Sequence, residues 1–322
     1  MKRDKKILIA FDTVEEGFEE LIDRFDVTRP SMGRNFTREE LQQMEHDYDV
    51  LATEFSIPVD KELIDMYPNL KLISNYAVGY NNIDIAYAQS KGIVVTNTPK
   101  SVINPTAEHT MALLLSCSRQ VAEWDRAMRR RRSSEKSLRN SGMGTDLYGK
   151  TVGIIGYGNI GKAVGKLCQA FGMRVVYNNR HRLPEALENA LGATYASVED
   201  LLRCSDVVSL HTPYNPQSHH LIDAQALSIM KPKAILINAA RGPVVDEAAL
   251  VQALKDGRLA AAGLDVYENN DNPLSELYDM DNVVMTPHIG TQTYESRVNM
   301  ARELSDNIIG FFEEDRPISR VR

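Results

Sequence analysis

The stretch that most restricts this chain runs from Thr151 to Tyr177. Thr151-Val152-Gly153-Ile154-Ile155 reads as a strand buried on both faces, and Gly156-Tyr157-Gly158-Asn159-Ile160-Gly161 opens a helix directly after it. The helical pattern covers residues 162–171, and a second apolar run follows at 174–177. Strand, glycine loop, helix and strand in this order form a parallel βαβ unit, which is right-handed in nearly all known cases. Each glycine has its own mechanical task. The first permits a tight turn, the second lets a pyrophosphate approach the backbone, and the third lets helix and strand pack closely. The N-terminus of the helix that follows offers free N–H groups and a partial positive charge to phosphates. Gly156, Gly158, Asn159, Ile160 and Gly161 are therefore expected to hold a dinucleotide.

The rest of the chain extends this pattern in both directions. Upstream, apolar runs at 6–11, 50–53, 72–75 and 94–96 alternate with helical stretches at 15–25, 38–48 and 83–90. Downstream, further runs at 207–210, 234–238, 261–265 and 283–286 bring the second series to six strands. Alternation of this kind predicts two doubly wound parallel-sheet α/β domains, a Rossmann nucleotide-binding domain and a smaller one. Between the series lies one long helix, from about 106 to beyond 126, with Pro105 in its first turn and a polar loop at 126–144. The arginine run 129–132 reads as a solvated face or a contact between subunits. The final helical stretch, 294–312, could return to the first domain.

Composition removes several function classes. The 322 residues are 43% hydrophobic and 25% charged, as in ordinary globular proteins, and the net charge of −7 argues against nucleic acid or anionic membrane as a partner. The apolar run after the basic N-terminus is too short for a signal-peptide core, so a cytoplasmic location is expected. Cys117, Cys168 and Cys204 lie far apart in apolar stretches, which predicts core cysteines and neither disulfides nor a metal site.

The cofactor class is read at the end of the second strand. A carboxylate there ordinarily binds the adenosine ribose hydroxyls. This chain has Asn178-Asn179-Arg180-His181-Arg182 instead. Asn179 does not repel a 2′-phosphate, and Arg180 or Arg182 could pair with one. NADP is thus expected as the preferred cofactor, with NAD bound through Asn179 as the alternative.

Five blocks then occur in order: residues 75–84 (Asn-Tyr-Ala-Val-Gly-Tyr-Asn-Asn-Ile-Asp), the glycine loop, Asn238-Ala239-Ala240-Arg241-Gly242, Gly263-Leu264-Asp265-Val266-Tyr267 and Thr286-Pro287-His288-Ile289-Gly290. Together they resemble the D-isomer-specific 2-hydroxyacid dehydrogenase family, most closely its glyoxylate/hydroxypyruvate reductase branch. The resemblance implies a flavodoxin-like substrate domain at 1–101, completed by 290–322, and an NAD(P)-binding Rossmann domain at 102–289, joined near Ser101 and Gly290. It implies hydride transfer between NAD(P)H and a small 2-oxo acid, reversible as a D-2-hydroxyacid dehydrogenase. Arg241 then binds the substrate carboxylate, for which a planar guanidinium is suited. His288 exchanges the proton with the substrate oxygen. The N–H groups of Val78 and Gly79 resemble a second carboxylate cradle, with Phe55, Ser56 and Tyr80 as candidate substrate contacts. Thr212, Pro213, Ala239, Ala240 and Asp265 complete the expected cofactor set. Dimerisation is also implied, through the helix starting near Thr106 and the loop after it.

The pattern breaks at one position. The family pairs its histidine with a glutamate five residues beyond the aspartate of Leu264-Asp265-Val266, and here that residue is Asn270. A carboxylate raises an imidazolium's pKa, whereas an amide only orients the ring. Three readings stay open: Asp271 or Glu268 supplies the carboxylate, Asn270 orients a more acidic histidine, or catalysis is lost. The last would leave an NAD(P)-sensing binding protein. The tryptophan often found in the glyoxylate reductase branch near 129–143 is absent, which leaves the substrate acid open.

Overall fold

The computed structural model describes residues 4–31, 33–131, 142–270, 272–313 and 318–321. The chain folds into two compact units, Met1–Pro105 with Thr291–Arg322, and Thr106–Gly290. Both are built on parallel sheets whose strands are covered on both faces.

The first unit contains β1 (Lys6–Ile9), β2 (Asp26–Thr28), β3 (Val50–Thr53), β4 (Leu72–Asn75) and β5 (Val94–Thr96) in the order β2-β1-β3-β4-β5, all parallel. This is the flavodoxin-like order, with its switch between β1 and β3. The C-terminal helix Tyr294–Glu313 packs on β4. Its Leu304, Ile308 and Ile309 are buried, and Ser305 donates to the carbonyl of Gly17 at 2.9 Å.

The second unit contains β6 (Thr151–Ile155), β7 (Arg174–Asn178), β8 (Ala193–Tyr195), β9 (Val207–Leu210), β10 (Ala234–Asn238), β11 (Leu259–Leu264) and β12 (Val283–Met285). Their order is β12-β11-β10-β9-β6-β7-β8, again all parallel. From β6 the chain winds outward one way through β7 and β8, then returns beside β6 and winds the other way. The switch point falls between β6 and β9, and open α/β sheets bind ligands at such crevices. Two apolar cores flank the sheet, one around Leu236, Val244 and Leu250 and the other around Ile154, Val164 and Ile237.

Several expectations need correction. β2 and β8 were not foreseen; each is a three-residue edge strand with exposed positions and no continuous apolar run. The long helix breaks at Gln120, whose φ of 55° is left-handed, into Ile103–Arg119 and Val121–Arg131. The residues 126–131 expected in a loop are therefore helical, and Arg129 pairs with Asp125 one turn back at 2.8 Å. Cys117 and Cys168 are buried, but Cys204 is exposed. Among the described residues no helix is long and apolar enough to cross a membrane, and no cluster of His, Cys, Asp and Glu could hold a metal ion.

Candidate active site

The glycine loop follows β6 at the switch point, and the three glycines meet three different surroundings. A Cβ on Gly156, at φ +93°, would lie 2.5–2.6 Å from backbone atoms of His211 and Thr212. A Cβ on Gly161 would lie 2.4 Å from the carbonyl oxygen of Gly156. A Cβ on Gly158 would meet nothing within 4 Å. Only the middle glycine leaves open space, as a site for an approaching pyrophosphate requires. Gly158 also caps the helix Asn159–Ala170 without a side chain, so the first N–H groups stay available to a ligand. The residues present thus fit a dinucleotide.

Tyr157 anchors this loop from below, a role not expected from the sequence. Its ring is buried, stacks on Tyr177 with centroids 4.8 Å apart, and occupies the space a Cβ on Gly165 would need. Asn179, after β7, clamps the same residue: its Oδ1 accepts from the Tyr157 N–H at 2.6 Å and its Nδ2 donates to the Tyr157 carbonyl at 3.3 Å. Arg182 is committed elsewhere. It grips Glu188 with two hydrogen bonds of 2.8 and 2.9 Å and lies over the ring of Tyr195. Arg180 is exposed and makes no ion pair with any described residue. Thr212 and Pro213 follow β9 beside Gly156. The neighbouring His211 is pushed down to about 4 by burial, so its ring is neutral near pH 7.

The next three strands present the other residues singled out in the sequence. Ala239, Ala240 and Arg241 follow β10, Asp265 follows β11, and His288 follows β12, on consecutive parallel strands. Asn238 shapes the first turn by accepting from the Ala240 N–H and donating to the Arg241 carbonyl. A Cβ on Gly242 would lie 1.7 Å from the Tyr267 oxygen, so the Arg241 turn sits hard against the loop after β11. Arg241 donates to the Ala240 carbonyl at 2.6 Å, and burial lowers its pKa. No carboxylate among the described residues lies within ion-pair distance of it. A guanidinium stays charged at neutral pH even so. A half-buried cation lacking a carboxylate partner is a receptor for an anion.

Asp265 is buried and ionised. Burial raises its pKa, but His109, Thr286 and the Ile289 N–H outweigh that and hold it below the usual range. Its Oδ1 accepts from Thr286 Oγ1 (2.7 Å) and Ile289 N (2.8 Å), and its Oδ2 accepts from Gly290 N (2.9 Å). These bonds brace the turn that carries His288, whose φ of 55° is left-handed and costs roughly 1–3 kcal/mol. The His288 N–H donates to the Asp265 carbonyl at 2.8 Å.

Asn270 behaves differently from the family's glutamate. Its Oδ1 accepts from the Tyr267 N–H at 2.8 Å, closing a turn within its own loop. Glu268 bonds His220 at 2.6 Å and the Glu247 N–H at 3.4 Å. Asp271 lies outside the described residues.

In the first unit, Phe55 and Ser56 follow β3 while Val78, Gly79 and Tyr80 follow β4, both at the C-terminal ends of the strands. The amides of half-buried Asn97 and buried Asn75 donate to the carbonyls of Val78 (2.8 Å) and Gly79 (2.6 Å). With those oxygens held inward, the two N–H groups donate to no described protein group. Phe55 and Tyr80 are exposed, large apolar side chains, and Ser56 bonds Glu54.

A doubly wound sheet with a glycine loop at its switch point, and with an arginine, an aspartate and a histidine after three consecutive strands, has the arrangement of a nicotinamide-dinucleotide oxidoreductase. The family model described as "D-isomer specific 2-hydroxyacid dehydrogenase, NAD binding domain" matches residues 111–290. A glyoxylate reductase of Thermococcus onnurineus is 41% identical over 322 residues, covering 98% of this chain and 95% of that protein. The crystal structure of a glyoxylate reductase from Paecilomyes thermophila superposes with a TM-score of 0.88 at 33% identity, over 98% of each chain. That of an NADPH-dependent glyoxylate/hydroxypyruvate reductase from Sinorhizobium meliloti, in complex with NADP and malonate, gives 0.86 at 29% identity, over 99% of this chain and 97% of that one. The chain belongs to the D-isomer-specific 2-hydroxyacid dehydrogenase family, and is an NAD(P)-dependent oxidoreductase of small 2-oxo and 2-hydroxy acids.

Proposed function

We propose that this chain reduces a small 2-oxo acid of the glyoxylate or hydroxypyruvate type, with NADP as the preferred cofactor. The observation that carries this reading is Arg241, a cation that has no carboxylate partner among the described residues and lies at the same sheet edge as the glycine loop. Arg241 binds the substrate carboxylate. In the first unit, Val78, Gly79, Phe55, Ser56 and Tyr80 keep their assignment as substrate-binding residues. A bound nicotinamide supplies the hydride. His288, as imidazolium, gives its proton to the carbonyl oxygen as negative charge develops there, and takes it back in the reverse direction. The carboxylate that keeps His288 protonated is assigned to Asp271, because Asn270 is tied to Tyr267 and Glu268 to His220. Arg180 is the 2′-phosphate partner, since Arg182 is held by Glu188. Thr212, Pro213, Ala239, Ala240 and Asp265 keep the cofactor-binding assignment, and the protein is a cytoplasmic homodimer.

The test is a set of kcat/KM measurements with glyoxylate, hydroxypyruvate, pyruvate and bulkier 2-oxo acids, each with NADPH and NADH. The expected result is turnover of the small acids, a preference for NADPH, and loss of that preference in Arg180→Ala. Arg241→Met should lower kcat/KM at least about a thousandfold, on the order of 4 kcal/mol. In Asp271→Asn the pH optimum of reduction should move toward acid, because a less basic histidine is protonated only at lower pH. No turnover of any 2-oxo acid would overturn the substrate assignment, and a clear preference for NADH the cofactor assignment.

A further inference from the structure

His109 lies in the helix Ile103–Arg119, in the stretch Thr106-Ala107-Glu108-His109-Thr110 that interrupts an otherwise apolar face with polar groups. Its side chain is only 15% exposed. Its Nε2 lies 3.2 Å from Asp265 Oδ1 and 3.1 Å from Thr286 Oγ1. Thr286 Oγ1 is itself 2.7 Å from the same carboxylate oxygen, so the three groups close a triangle. Of its members, Asp265 can only accept, so Nε2 is the ring nitrogen that carries a proton.

The far side of that carboxylate is what gives the triangle meaning. Asp265 accepts from Ile289 N and Gly290 N, the two residues directly after His288, and its own carbonyl accepts from His288 N. Gly290 leaves no slack: a Cβ there would lie 3.2 Å from Asp265 Oδ2. Rotation of the carboxylate would release both shoulders of a turn that already holds a non-glycine residue at positive φ. Thr286 and the two backbone N–H groups are carried by that same turn, so they move with it. Among the described residues, His109 is the one side-chain donor to Asp265 that comes from a different element, the helix packed against the sheet.

We propose that His109 is a positioning residue for His288, acting through the buried carboxylate of Asp265. It ties the carboxylate to the helix, and the carboxylate ties the turn, so that the His288 ring is held in one place when the proton moves. This rests on the reading of His288 as the proton donor. A catalytic group displaced by a fraction of an ångström loses rate more than binding. The loss should therefore fall on kcat.

The experiment compares wild type with His109→Leu, His109→Gln, His109→Asn and His288→Asn in full-length protein. It measures kcat and KM for glyoxylate, Kd for NADPH by fluorescence, and Tm. In His109→Leu the expected result is a kcat lower by about tenfold, with glyoxylate KM and NADPH Kd within about twofold of wild type. His109→Gln, whose amide nitrogen reaches as far as Nε2, should recover most of that rate, whereas the shorter His109→Asn should not. Should His109→Leu fail to fold, the contrast between Gln and Asn decides. An unchanged kcat in His109→Leu, or equal rates in Gln and Asn, overturns the proposal. So does a loss confined to NADPH affinity, which would make His109 and Asp265 a cofactor support. Full activity in His288→Asn would instead remove the reading of His288 on which the proposal rests.

Discussion

The glycines of the nucleotide loop separate folding from binding at single positions. Gly158→Ala places its methyl group in open space, so Tm should stay within a degree or two of wild type while NADPH binding weakens by about tenfold or more. Gly161→Ala drives its methyl group against the Gly156 carbonyl and should instead lower Tm by several degrees. Thermal melts and fluorescence titrations on the pair check both; a destabilised Gly158→Ala would show that the open space serves packing. At this scale the sequence was informative wherever one residue type carries one task, as with these glycines and Arg241. It was silent where the task depends on what a side chain meets. Asn179 reads as a ribose ligand, yet its amide is spent on Tyr157. His109 reads as one histidine in an apolar helix, and only the fold brings it to Asp265, a residue more than a hundred positions away.

Among the elements, the loop after β11 has an anchor that comes from a helix start. Asp246 caps the helix Glu247–Lys255 by accepting from Ala249 N at 2.9 Å, which frees the next carboxylate for other work. Glu247 is buried, and it accepts from Glu268 N at 3.0 Å and from Leu274 N at 2.7 Å, so it holds both ends of that loop. Glu247→Ala should leave the sheet intact but raise amide exchange across 268–274 by about tenfold or more, with a parallel fall in kcat. Unchanged exchange there would show that Gly242 and His220 suffice to hold the loop. The strands buried on both faces were legible from their apolar runs. β2 and β8 were not, because a three-residue edge strand needs no such run. The break at Gln120 was hidden for another reason: the apolar spacing continues through it, and a single left-handed residue leaves no periodic trace.

At the scale of the whole molecule, carboxylates such as buried Glu188 and half-buried Asp206 contribute to the response to acid. Glu188 is lowered to about 2 from the usual 4.5, first by its bonds with Arg182 and then by Tyr177. Asp206 is lowered too, because the Thr151 N–H and Lys231 outweigh its burial. A depressed folded-state pKa means that the unfolded chain binds more protons, so the stabilisation is complete above about pH 4.5 and is lost as pH falls toward 2. Tm measured from pH 6 to pH 2.5 should fall mostly within that window, and Glu188→Gln should flatten the slope. An equal slope in the variant would place the acid sensitivity elsewhere.

The clamp on the loop after β11 also bears on how such a protein can change. Glu247 fastens the loop at Glu268 and Leu274, while Asn270, between those two points, bonds within the loop to the Tyr267 N–H. A substitution there can exchange the partner offered to His288 while the sheet, the glycine loop and Arg241 are left alone. The proton chemistry is thereby open to mutation in small steps, and a library confined to positions 269–273 is where altered pH optima should be sought first.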